Sequence, residues 1–461
     1  MRRLTRRQAL AGAAAGALGA AGIYELVDQL SGGEPPKRVL QIPRPVEQHV
    51  LDSVSVIVDN GVEVVIPPLH HQLVTATVRT DDLRAAQQDL NEALERLDGR
   101  YEPTPAGLGV TVGWGLPYFE RRVPEAWRTH APRDRRARKL ALMQAVRFPS
   151  DPDETILEEN DVAFLLRSDS REHLADAGRV LFQDLELFEL TSVRKGFVGG
   201  GFGGRRSLPK KVAVAAAIPG ADLIPGSAQL FLGFTSTQKA ALGPRRIANF
   251  ETLGLVDLGP RSYFRGGTSM HVSHLFEDLE AWYLNFDFRE RVDTAFRPGL
   301  KVRDGVETVA QDERDTEHTD GVKRDFRRQG RIGHAASIQT TSRLQRDHVA
   351  EDGTVYERGT AIPQRADFNT LDNPFAWSSR PHVDDMQAGP RAGLHFVVFN
   401  PTSDDFHRNR LAMDGVLPDG TRLPLAARDR NQGFNAVLRT THRQNFLVPP
   451  RAHRSFPLAE L

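Results

Sequence analysis

Gln72-Leu73-Val74-Thr75-Ala76-Thr77-Val78 runs almost directly into Thr80-Asp81-Asp82, and then into Leu83, Leu90, Leu94 and Leu97. The first run is rich in β-branched residues and reads as a strand. Thr80-Asp81-Asp82 supplies side-chain oxygens that cap a helix start, and the leucines that follow keep helical spacing. Leu108 to Trp114 is the next strand and Asp161 to Ser168 another. A helix around Arg171 to Phe182 and a strand near Leu187 to Arg194 complete the run. The order is β-α-β-β-α-β. Upstream, Val54 to Val58 adds a strand, and Asn60-Gly61 after it is a strong turn signal.

The rhythm recurs. His271 to Phe276 is strand-like, Leu279 to Tyr283 opens a helical stretch, and Ala392 to Phe399 is a strand. Thr402-Ser403-Asp404-Asp405-Phe406 caps a last helix that runs to Met413. Two α+β halves are the economical reading, residues 46–225 and 226–461, with the boundary near Pro225. Between Val302 and Asn373 the chain is polar and irregular and reads as a long elaborated connection, which in compact domains usually serves function.

The N-terminus has a different character. Arg2-Arg3-Leu4-Thr5-Arg6-Arg7 places four arginines in seven positions, and a weakly apolar Ala/Gly run follows from Ala11 to Gly22. A paired arginine after Thr, ahead of a mild Ala/Gly stretch, is the pattern of a twin-arginine export signal. The run is too short and too poor in Leu and Ile to span a bilayer securely. Residues 1–30 are therefore expected to be a signal read by the twin-arginine translocase and 31–45 a Gly/Pro-rich linker. The folded chain would then act in the periplasm or outside the cell.

Composition narrows the chemistry. About 415 residues remain beyond the linker, enough for two domains or a duplicated core. The chain has 60 basic and 60 acidic residues, so no global attraction to nucleic acid is expected. The Arg133 to Lys139 run is read as a solvated helix face. With no cysteine in the chain, disulfides, thiolate metal sites and Cys nucleophiles are excluded. A translocon for folded cargo suits a protein loaded with a cofactor before export.

Candidate site residues are few. Gly199 to Gly204 lacks the Lys-Ser/Thr of a phosphate loop and reads as a flexible glycine segment. His70-His71 and the His271/His274 pair are placed on strands so that each pair points to opposite faces. A metal-dependent hydrolase built on His70, His271 and His274 is the third of the readings considered. Arg331-Ile332-Gly333-His334-Ala335-Ala336 sets His334 among small neighbours that let a flat macrocycle approach, and neutral imidazole is a common axial ligand of haem iron. A histidine in a surface loop is the plain alternative.

Taken in order, several stretches resemble the dye-decolourising peroxidases. They are Leu108 to Gly115 with Tyr118-Phe119, Asn160 to Arg167, Val193 to Phe197, Gly266 to Val272 with Asp278 to Trp282, Gly333-His334-Ala335, and Gly393 to Phe399. The resemblance covers roughly Val46 to Gly415. It implies an α+β fold of two ferredoxin-like halves, of the dimeric α/β barrel type, with haem b in the second half. It further implies hydrogen peroxide as oxidant and a small reducing substrate, and it leaves homo-oligomerisation open. By the same resemblance His334 is the proximal iron ligand and Arg365 the distal arginine, with Arg358 as substitute. The family's distal aspartate falls at Ser236, with Thr237 in place of the final glycine of its motif. Serine does not ionise usefully near pH 7, so peroxidase activity is expected to be weak or altered, with Asp367 as a partial substitute. A haem-free extracytoplasmic binding or interaction module on the same fold is the alternative.

Overall fold

A computed structural model describes residues 22–31, 45–51, 55–59, 62–200, 206–234, 258–259, 261–302, 318–350, 353–371, 390–425 and 432–461. Helix α1 (Gly22–Ser31) is followed by β1 (Ser55–Asp59) and β2 (Val62–Ile66), which pair as a hairpin. The turn signal at Asn60-Gly61 lies outside the described residues, between these two strands. Then come β3 (His70–Val78), α2 (Leu83–Arg100), β4 (Gly109–Gly115), α3 (Leu116–Arg122), α4 (Pro124–His130), β5 (Ile156–Leu157), β6 (Val162–Ser168), α5 (Arg171–Gly178) and β7 (Phe188–Phe197). The expected cap of α2 is present: the Asp82 side chain accepts a hydrogen bond from the Ala85 amide. In the sheet, β7 lies beside β3, β3 beside β6 and β6 beside β4, all antiparallel. The fourth strand of the unit therefore flanks the first, which is the ferredoxin-like order.

The second half comprises α6 (Leu208–Ala215), β8 (Thr268–Glu277), α7 (Phe288–Ala295), α8 (Thr319–Gln329), α9 (His334–Ser342), β9 (His348–Val349), β10 (Val355–Tyr356), β11 (Gln364–Arg365), β12 (Phe368–Thr370), β13 (Gly393–Asn400), α10 (Ser403–Met413) and β14 (Leu438–Val448). Here β14 lies beside β8, β8 beside β13, and β13 beside both β11 and β12. It is the same order again. The halves meet through β14 with β4 and through β12 with β7. The strands β7, β3, β6, β4, β14, β8, β13 and β12 thus close a ring, and two ferredoxin-like halves share one barrel.

Alternation along each strand divides the core. Leu73, Leu165, Met270, Val272, Val397, Phe399, Phe446 and Val448 fill the barrel interior. On the outer face of the first half, Val74, Val112, Trp114 and Phe164 pack with Leu90, Ala93, Leu94 and Leu97 of α2. Full burial of each such side chain contributes roughly 1.5–3 kcal/mol.

Two readings change. The stretch from 302 to 373 holds α8 and α9; α9 shows little amphipathic pattern in sequence, and its burial in the tertiary structure selects the helix there. The Arg133–Lys139 run forms a turn, not a helix. Arg136 Nη2 donates to both Asp405 oxygens at 2.7 and 2.8 Å, and Lys139 Nζ donates to Asp404 Oδ1 at 2.7 Å. The acidic first turn of α10, favoured there by the helix dipole, draws these cations in. Residues 22–31, the end of the expected signal and the first residue of the expected linker, form α1 docked on the barrel. The Tyr24 hydroxyl donates to the His71 carbonyl at 2.6 Å, and Asp28 Oδ1 lies 2.7 Å from His70 Nε2.

Candidate active-site cavity

The same outer face that is solid in the first half is hollow in the second. Ser273, Leu275 and Glu277 alternate along β8 toward a cavity of about 310 Å³. Leu394, Phe396 and Val398 of β13 continue that wall. From the other side, α10 presents Phe406, Asn409, Arg410 and Met413, the spacing of a single helix face. Helix α9 presents His334, Ile338 and Gln339. The volume suits a small-molecule or cofactor pocket, which characteristically combines apolar walls with a few placed polar groups.

His334 opens α9, so the helix N-terminus sits at the cavity. Gly333 allows this approach: a Cβ there would fall 2.3 Å from the Phe296 carbonyl oxygen. Gly433, at φ +55°, passes so close that its own Cβ would lie 3.2 Å from the His334 amide nitrogen. The imidazole leans on Phe434 with ring centres 4.6 Å apart. Its free edge faces the cavity and keeps the residue only half-buried by surface, while protein on every other side excludes bulk water. Burial, then Arg365 and Arg410, push its pKa down to about 3, so the ring is neutral at pH 7. Its Nδ1 is buried and has no hydrogen-bond partner. His334 is therefore a helix-mounted cavity residue and not a histidine of a surface loop.

Arg365 sits on β11 opposite Val398 of β13, and its Nε donates to Asp367 Oδ1 at 3.0 Å. Both residues line the cavity with His334. Arg358 does not: it is exposed, with Nη2 3.1 Å from His318 Nε2. Ser236 and Thr237 lie outside the described residues. The cavity also holds groups that sequence reasoning missed. Glu277 is 2% exposed, and its Oε2 has no hydrogen-bond partner. Its alternation with Ser273 and Leu275 was a usable signal. Arg443 comes from β14, a strand that the sequence reading did not single out.

Arg443 and Arg410 share Asp151, whose Oδ1 accepts from Arg443 Nη2 at 2.8 Å and from Arg410 Nη2 at 3.3 Å. Phe148 lies 4.7 Å from the Arg443 guanidinium carbon and 5.3 Å from that of Arg410. Burial pushes the Arg443 pKa down to about 10, still charged at pH 7. Removing the shared carboxylate leaves two buried cations short of a partner. Asp151→Ala is expected to cost about 3–5 kcal/mol, the usual penalty for breaking a buried ion pair from one side. Chemical denaturation of Asp151→Ala beside Asp151→Asn checks this, and a loss below about 1 kcal/mol would show that water replaces the carboxylate.

The histidines of the hydrolase reading are dispersed. His271 lies on the outer side, with Nδ1 2.7 Å from Asn445 Oδ1, Nε2 2.6 Å from Ser273 Oγ, and its ring stacked on Phe406. His274 points into the barrel, 5.0 Å from the His395 ring, and His70 meets α1. Strand alternation separates them. Among the described residues no group of three or more His, Asp or Glu is arranged to hold a metal ion. Haem iron makes no such demand, since one protein ligand suffices.

A family model described as a family of unknown function (DUF7405) matches residues 68–450. No curated protein matches the chain. Among solved structures, a putative Dyp-type peroxidase from Shewanella oneidensis aligns at 14% identity, over 84% of this chain and 94% of that one, with TM-score 0.49. A dye-decolorizing protein from V. cholerae aligns at 13% identity over 85% and 97%, with TM-score 0.46. A DypB variant from Rhodococcus jostii RHA1 in complex with heme aligns at 14% over 85% and 96%, with TM-score 0.47. At such identity and TM-scores, no residue role is carried across from them.

Proposed function

Because the chain belongs to DUF7405, a family of unknown function, its chemistry must come from its own cavity, and we propose an exported haem-b protein of the dye-decolourising peroxidase type. In this reading it oxidises small reductants with hydrogen peroxide. The observation that supports it is His334: a neutral, half-buried imidazole at a helix start, opening into an apolar cavity that also holds cations. The residues fit the group. Phe234, Phe296 and Phe434 offer flat apolar contact, and Arg365 and Asp367 line the same space.

When bound, haem would supply the iron centre that exchanges electrons with peroxide and reductant. His334 would hold that iron through a neutral ring nitrogen. Arg365 would stabilise negative charge that develops on a peroxide oxygen, and Asp367 holds the arginine in place through its bond to Nε. The apolar walls exclude water and strengthen both effects. The test is direct. The purified protein, or the apo form titrated with hemin, should show a Soret band at one haem per chain. No uptake would favour the haem-free binding module instead.

Export is part of the same proposal. Replacing Arg2, Arg3, Arg6 and Arg7 together by lysine should leave the protein in the cytoplasm, because paired arginines are what the translocase receptor reads. Cell fractionation reports the outcome, and undiminished export of the variant would sink the twin-arginine reading.

A further inference from the structure

We propose that helix α1 stays on the exported protein as a permanent part of its fold, and that the signal is cut on its N-terminal side, between Ala21 and Gly22. The inference rests on the export reading above and moves the end of the signal upstream of the helix.

A signal peptidase accepts small residues at the first and third positions before its cut. Such triplets occur on both sides of α1, the nearest being Gly19-Ala20-Ala21 and Ser31-Gly32-Gly33. A cut after Gly33 gives a chain that starts at Glu34 and has lost α1. A cut after Ala21 gives a chain that starts at Gly22 and keeps it. Gly19-Ala20-Ala21 lies outside the described residues and enters by its sequence alone. What separates the two sites is the role of α1 in the fold.

Ile23, Leu26, Val27 and Leu30 recur at helical spacing and form one apolar face. Ile23 is 5% exposed, Leu26 4% and Val27 0%. That face packs on β7 and α6, in the core that also holds Phe197, Leu208 and Val212. Polar contacts fasten the rest. The Tyr24 hydroxyl donates to the His71 carbonyl at 2.6 Å, and its ring meets His70 edge-on at 4.9 Å. Asp28 Oδ1 lies 2.7 Å from Nε2 of His70, whose side chain is fully buried. Arg171, which opens α5, bonds to Glu25 and has its Nε 3.3 Å from Asp28 Oδ2. At the far end Lys211 of α6 donates to the Leu30 carbonyl at 2.9 Å, one of the carbonyls that a helix end leaves open.

A helix of ten residues is marginal by itself in water, so these contacts are what hold α1. They are reciprocal: without α1 the apolar surface of β7 and α6 and the His70 ring lose their cover. Charge patterning agrees. The apolar region of a signal carries no charge, and the uncharged run from Gln8 stops at Glu25, inside α1. In the cut itself water adds across the Ala21–Gly22 amide. Ala21 ends as a carboxylate and Gly22 as an α-ammonium.

The experiment uses the full chain, expressed in a host with the twin-arginine pathway and recovered from the exported fraction. Intact mass should match a chain that starts at Gly22. Ala21→Leu should abolish that start, and Gly33→Leu should leave it in place. Leu26→Ala, made in the full chain, should lower the folded-to-unfolded ratio of the exported protein at least about 30-fold in urea unfolding. A chain that had shed α1 would not feel this substitution. An exported chain that starts at Glu34 or keeps Met1 overturns the proposal, and so does a Leu26→Ala protein as stable as its parent. A chain that stays wholly in the cytoplasm sinks the export reading and the cut with it, whereas an exported chain cut after Gly33 sinks the cut alone.

Discussion

His334→Ala is expected to lose most of the bound haem, with affinity falling at least about 10²-fold. Loss of groups that merely orient a metal ligand already costs about 10- to 100-fold. The fold should survive, because the imidazole borders an existing cavity and its Nδ1 bonds to nothing that its removal would strand. Far-ultraviolet circular dichroism should therefore match the parent while the Soret band falls. Exogenous imidazole added to His334→Gly should restore part of the band, since the vacated space adjoins the cavity. Full haem content in His334→Ala, with an unshifted spectrum, would end the assignment of this residue as ligand.

Acidification is the second large effect. Burial, with help from Arg167, pushes the His49 pKa from 6.5 down to about 3, and His334 is pushed down to about 3 as well. His71, His271, His274 and His395 lie well below their ordinary value, chiefly through burial. Between about pH 6.5 and 3 the unfolded chain binds protons at these positions that the folded chain refuses. Stability must then fall as pH falls, by about 1.4 kcal/mol per pH unit for each group. From pH 6.5 to 5, His49 and His334 alone would remove roughly 3 kcal/mol, against a total of about 5–15 kcal/mol for an ordinary domain. Glu277 acts in the opposite direction, since its raised pKa lets the folded state hold one extra proton between about 4.5 and 8. It offsets one histidine and leaves the sign unchanged. Urea midpoints of the apo protein should drop steeply from pH 6.5 to 5. A flat profile would mean that these histidines are reached by water in the folded state.

Much of the architecture was legible because local chemistry and tertiary structure agree. β3 and α2 announce themselves by β-branched content, a capping aspartate and spaced leucines, and α10 by Thr402 with its acidic first turn. The repetition of that pattern implied two halves. His334 was singled out by its small neighbours, Arg365 by the resemblance and Asp367 as a nearby carboxylate, and the three line one cavity.

What sequence alone determined, then, is the set of short-range elements and the duplication, since periodicity and capping operate over a few residues. Closure of the barrel through β14 with β4 and β12 with β7 joins residues far apart in the chain, such as Phe446 with Gly115 and Asn369 with Phe197, and no local pattern encodes it. The same holds for the cavity. Glu277 looks like an ordinary strand-end glutamate until the elements around the cavity cover that face and exclude water. Burial creates its chemistry, and burial is a property of the packed chain.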